Sequence, residues 1–188
     1  VNEIYAVMSI RSLVIALINI FIPIYLYTIT YSVKQIIIFY LVMYVGEALL
    51  EYVALKVIAH FGPKHSIAFS MPFLVLFFWL LWSIPQYHWP IWVAALAGSV
   101  TMAFFWQAYH YDFSKSKEKK RPTKEISTLY IIIAALSALG PMIGGLIAGH
   151  FGIGSLFGAV TGLILLTIFP LFVQKEPHIK HETKLRKA

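Results

Sequence analysis

Ala134-Ala-Leu-Ser-Ala-Leu-Gly-Pro-Met-Ile-Gly-Gly-Leu-Ile-Ala-Gly149 is almost wholly apolar, yet it carries Gly140, Pro141, Gly144, Gly145 and Gly149. In water such a stretch is a poor helix, because Gly and Pro each weaken a helix interior. In hydrocarbon the balance reverses. No unpaired backbone group can face lipid, so the segment stays helical and its neighbours accommodate the proline. Small residues four apart let a second helix backbone come close. Gly140, Gly144 and Ala148 share one face, and Gly145 and Gly149 share another. The stretch reads as a membrane helix built to bend and to be packed against.

The rest of the chain agrees. Of its 188 residues 60% are hydrophobic and only 12% are charged, with a mean hydropathy of +0.77. A soluble domain carries roughly 25% charge. Half that charge with this much aliphatic and aromatic content points to a bilayer. There is no cysteine, which excludes disulfides and thiolate metal sites. The net charge of +7 sits in loops beside apolar runs, so membrane topology explains it better than nucleic acid does. No cleavable signal is expected, because the first apolar run is too long for one. A start at Val1 rather than Met reads as a chain truncated or processed at its beginning.

Six apolar spans follow, roughly Ser9–Tyr31, Gln35–Ala59, Ser66–Pro85, Trp89–His110, Thr128–His150 and Gly154–Val173. Each is near the ~20 residues that cross a bilayer core. Tyr25, Tyr27, Tyr31, Trp82, Tyr87, Trp89 and Trp92 lie near span ends, as an interfacial belt would. Lys and Arg alternate with the turns: fourteen fall on one side and only Lys34 on the other. That split predicts both termini in the cytoplasm and an even number of spans. Arg11 is counted on the cytoplasmic side and read as an interface anchor. Asp112–Lys124 is read as a solvated basic loop, and residues after Val173 as a polar cytoplasmic linker or tail.

An internal echo organises the spans. Ile58-Ala-His-Phe-Gly62 and Ile147-Ala-Gly-His-Phe-Gly152 each close the second span of a three-span set, with their glycines 90 residues apart. Three spans per unit puts the two turns on opposite membrane faces, which is the pattern of inverted-topology repeats. The expected architecture is an all-α polytopic membrane protein, with six transmembrane helices as two inverted three-helix repeats at about 9–85 and 89–173.

With these residues in view, the chain resembles the amino-terminal six-helix half of a major facilitator superfamily transporter. Gly140-Pro141-Met142-Ile143-Gly144-Gly145 is similar to that family's Gly-Pro-x-x-Gly-Gly motif in the fifth helix. In the family this motif kinks the helix and packs it against the other half. The turn Ala59-His-Phe-Gly62-Pro-Lys64 resembles the family's loop between helices two and three, with Gly62 and Lys64 in place. Leu55, Ala59, His60 and Pro63 depart from the Gly, Asp, Arg and Arg of that motif, so its charged gate network is not reproduced. Span four also lacks the buried Arg of the family's proton antiporters. The resemblance implies gating or helix-packing roles for Gly62, Lys64, Gly140, Pro141, Gly144 and Gly145. It also implies a second six-helix half, in the same chain or in a dimer.

Glu47 and Glu51 are the sharpest chemical feature. Four residues apart, they share a helical face about 6 Å apart along the axis. An ionised carboxylate at mid-bilayer costs roughly 2.5–3.5 kcal/mol even on the lenient insertion scale. These groups must therefore face a cavity, pair with a cation or take up a proton. A coupling-proton or cationic-substrate site is one reading; a gate network of Glu51 with Arg11 or Lys56 is the other. Asn19 and Gln107 are lone amides within spans one and four, read either as interhelical hydrogen-bond partners or as substrate contacts. Trp106 and Tyr109 are candidates to line a cavity.

No catalytic motif, metal site or cofactor is expected: His110 and Asp112 have no third ligand nearby, and His60 and His65 read as turn residues. The expected function is secondary-active transport of a small solute by alternating access, with a coupling proton or ion, in a prokaryotic inner membrane. The expected partners are that solute, the lipid bilayer and the second six-helix half, with no nucleic acid. The alternative is a half-size membrane protein acting as a dimer, an assembly factor or a membrane enzyme.

Overall fold

The computed structural model describes residues 2–116 and 122–173, with side chains over 9–111, 127 and 131–165. Those residues form seven helices: α1 (Asn2–Ile18), α2 (Phe21–Thr28), α3 (Val33–Phe61), α4 (Pro63–Tyr87), α5 (Ile91–Ser116), α6 (Pro122–Phe151) and α7 (Ile153–Val173). Spans two to six of the sequence reading correspond to α3 to α7. Five stretches are long and apolar enough to cross a membrane: Ser9–Thr28, Val33–Phe61, Pro63–Tyr87, Ile91–Tyr111 and Ile131–Phe151. The helix α7 follows as a sixth apolar pass, and its 21 residues extend about 32 Å.

Two expectations need correction. The first span, Ser9–Thr28, is not one uninterrupted helix: its hydrogen-bond ladder is interrupted at Asn19-Ile20, between α1 and α2, while Ile20 keeps helical backbone angles. Pro23 is the physical reason. It has no N–H for the carbonyl of Asn19 four residues back, and its ring crowds that carbonyl. The basic loop is also shorter than read. The helix α5 continues through Ser116 and α6 begins at Pro122, so Asp112–Ser116 and Pro122–Lys124 are helical. Residues 117–121 and the tail 174–188 lie outside the described residues, together with most of the cationic groups assigned to them.

Local chemistry sets the helix ends. Ser32 opens α3 with a capping box: its backbone N–H donates to Gln35 Oε1 at 2.8 Å, and its hydroxyl accepts from the Gln35 N–H at 3.4 Å. The α3–α4 turn is a single residue, Gly62 at φ +87°, followed by Pro63 at the first helical position. The α6–α7 turn repeats the device with Gly152 at φ +81°. Only glycine adopts such a backbone without strain, so both turns of the sequence echo have the same cause.

The main seams are α3 on α5, α5 on α4, and α1 on α6, with α7 against α1, α4 and α6. Exchanging the first three passes with the last three maps α1–α6 onto α5–α3, and α1–α7 onto α5–α4. The contact pattern thus carries the two-fold exchange that inverted repeats require. Four side chains stitch the middle of the bundle by donating to backbone carbonyls of another helix. Ser66 reaches Phe104 at 2.9 Å, Ser99 reaches Met43 at 2.8 Å, Thr101 reaches Ser70 at 3.5 Å, and Tyr25 reaches Leu81 at 3.1 Å. Tyr25 is therefore core rather than interfacial belt: it is buried and also meets Phe157 edge-on at 5.1 Å. Tyr27, Trp82, Tyr87 and Trp92 are exposed, as a belt demands.

Candidate functional site

The break in the first span borders a cleft inside the bundle. It lies between α1, α2, α3, α4 and α5. Its walls are mostly apolar: Ile15, Ile18 and Ile22 from the first span, Met43 from α3, Leu74, Phe77 and Phe78 from α4, and Met102 from α5. The polar side chains that reach it are Arg11, Asn19, Tyr40 and Thr101. Gly98 contributes a backbone wall, because a side chain there would press on Met43 and Phe77.

Arg11 is the group that the sequence reading placed wrongly. It is only 3% exposed, so it does not anchor in the headgroup layer. The helix α1 begins at Asn2, nine residues earlier, and carries Arg11 inward. Its guanidinium carbon lies 3.7 Å from the centroid of the Phe105 ring, a cation–π contact. Its Nε and Nη1 are buried and have no hydrogen-bond partner among the described residues. Glu51 does not pair with it. Lys56, the other cation considered for Glu51, lies over the Tyr52 ring at 4.4 Å.

The other predicted residues are dispersed. Asn19 borders the cleft, but it is exposed rather than buried, since it sits at the helix break and not within a helix. Gln107 is half-buried on α5 and does not reach the cleft. Glu47 and Glu51 are half-buried on α3. They continue a stripe that starts at Tyr40 beside the cleft and runs through Tyr44, whose ring stacks on Tyr40 at 6.4 Å. Trp106 stacks on His110 at 5.9 Å, and neither Trp106 nor Tyr109 lines the cleft.

The glycine motif of α6 is a packing face. A methyl group at Gly140 would collide with Ala16, and one at Gly144 with the backbone carbonyl of Leu17. Gly145 is looser, with Phe21 at 3.6 Å, and Gly149 faces open space. The helix is continuous through Pro141. The face carrying Gly140 and Gly144 is thus taken by the first span of the same bundle, not kept for another half. Gly62 and Lys64 sit at the α3–α4 turn, in the cap and the first turn of α4.

Residues 4–188 match the family model of the Major Facilitator Superfamily. The chain belongs to the Major Facilitator Superfamily. It is accordingly a multi-pass membrane protein of a family that moves solutes across bilayers. No curated protein and no solved structure matched it. Among the residues outside the superfamily's motifs, the sequence reading missed the role of Arg11 in the cleft. The available signal was the pair Asn19 and Pro23, whose four-residue spacing marks an interruption about two helical turns beyond that arginine.

Proposed function

We propose that this chain is a six-helix half of a secondary-active transporter, in which a small solute binds at the broken first span and is exposed to each side of the membrane in turn. The observation that carries the reading is the interruption at Asn19-Ile20 beside the cleft. Discontinuous helices at mid-membrane free backbone groups for a solute, and alternating access works by rocking bundles around such a fixed site. In this reading Asn19 contacts the solute, Glu47 and Glu51 carry a coupling proton or ion, and Gln107 serves the same pathway from α5. Gly140, Pro141, Gly144 and Gly145 form a seam that stays tight through the cycle, while Gly62 and Lys64 shape the gate turn. The repeats run over about 9–85 and 89–173. Both termini face the cytoplasm across an inner membrane, and a second six-helix half closes the solute path.

Asn19→Cys tests this directly, because these 188 residues have no cysteine and any cysteine in the second half is first replaced by serine. The full-length protein carrying that change is treated with a membrane-impermeant maleimide in right-side-out and inverted vesicles. Labelling from both sides is expected. Labelling from one side under every condition overturns alternating access at this position.

A further inference from the structure

We propose that Arg11 binds the carboxylate of an amphipathic organic anion, whose apolar body fills the cleft. The guanidinium is a permanent cation. Buried within a membrane protein, it needs an opposite charge or a full set of acceptors. Among the described residues it has neither at Nε and Nη1. Phe105 covers it at 3.7 Å, which stabilises the charge but accepts no N–H. Among the described residues no Asp or Glu lines the cleft. The missing partner is therefore an acceptor that arrives with a ligand.

The shape of the site narrows the class. A guanidinium offers its N–H groups in a planar fork, which a carboxylate matches with two parallel hydrogen bonds. Thr101 and Tyr40 add hydroxyls to the same cleft. Beyond them the walls are Met43, Leu74, Phe77 and Phe78, which favour an aliphatic or aromatic body over a sugar or a free inorganic anion. The inference rests on the transport reading for the fate of the anion, and on Arg11 for its binding.

The test uses the full-length protein in detergent and follows thermal unfolding with four probes: benzoate, hexanoate, benzamide and inorganic phosphate. A ligand that binds the folded state raises Tm with concentration. Benzoate or hexanoate is expected to raise it, and benzamide, the neutral analogue of benzoate, is not. Arg11→Gln is expected to keep or raise the ligand-free Tm, since it removes an unpaired buried charge, and to weaken the carboxylate response by roughly 30-fold or more. Arg11→Lys keeps the charge without the fork and is expected to fall between the two. An equal response to benzamide, a response to phosphate alone, or an undiminished response in Arg11→Gln overturns the proposal. So does the absence of any carboxylate response, which would mean that Arg11 is paired from elsewhere in the assembled protein. The benzoate–benzamide comparison needs no variant, so a poorly folding Arg11→Gln leaves the test decisive. Two-sided labelling of Asn19→Cys without carboxylate selectivity sinks this inference and leaves transport standing; carboxylate selectivity with one-sided labelling does the reverse.

Discussion

The hydroxyl of Tyr25 donates to the backbone carbonyl of Leu81 at 3.1 Å, across from α2 to α4. Pro85 lies four residues after Leu81 and has no N–H to offer that carbonyl. Tyr25 supplies the hydrogen bond that the helix cannot make for itself. In lipid an unpaired carbonyl is costly, so the proline and the tyrosine act as a pair.

Tyr25→Phe should therefore destabilise the protein by about 0.6–1.5 kcal/mol, the range for one interhelical hydrogen bond. Thermal unfolding in detergent measures it. Combining the change with Pro85→Ala, which restores the N–H, should recover most of the loss. An equal loss in both backgrounds would show that Leu81 is not what Tyr25 serves.

Gly144→Ala should cost about 1–3 kcal/mol, the usual range for overpacking, because the new methyl group meets the backbone carbonyl of Leu17. Gly149→Ala should be tolerated, since nothing stands within reach of a side chain there. Folded yield and monodispersity in size-exclusion chromatography compare the two. Equal behaviour would mean that the α1–α6 seam is not tight at Gly144.

Gly46→Ala should damage the α3–α5 seam by driving a methyl group into the Ser99 side chain, which donates to the Met43 carbonyl at 2.8 Å. Adding Ser99→Gly should restore part of the loss, giving a coupling of roughly 1 kcal/mol or more between the two positions. Strictly additive losses would show that the two side chains do not compete for space.

Glu47→Gln should leave expression and monodispersity intact while abolishing gradient-driven accumulation of the carboxylate that binds best. Glu51→Gln should have a smaller effect, because Glu51 lies one turn further from the Tyr40 end of the stripe. Uptake into proteoliposomes across a range of pH gradients is the measurement. Wild-type accumulation by Glu47→Gln would remove that carboxylate from coupling.

Much of this architecture is legible from residue type alone. The glycines of α6 announce a close-packed seam, and the two His-Phe-Gly turns mark equivalent points of the repeats. Both follow from a steric rule that acts wherever glycine stands. Arg11 was not legible. A lone arginine near a span end has the same hydropathy whether it snorkels to headgroups or points into a bundle. Which of the two occurs depends on the face of α1 that meets Phe105. The break at Asn19-Ile20 was missed for a related reason. Membrane helices tolerate proline, as α4 does at Pro72 and Pro85 and α6 at Pro141, so Pro23 alone does not signal interruption. The glutamate stripe was visible as a pattern, but not its separation from the cleft, because spacing along one helix says nothing about what lies opposite.

The two seams related by the repeat exchange are joined differently. Ser99 bonds α5 to α3, whereas at the middle of the α1–α6 seam Gly140 and Gly144 rest directly on Ala16 and Leu17. Register at the first interface is fixed by that bond, and at these two glycines of the second by close backbone approach. Equivalent seams of the two repeats are thus held by different means, a directional bond in one and the absence of a side chain in the other, so a single exchanged methyl group threatens the second more than the first.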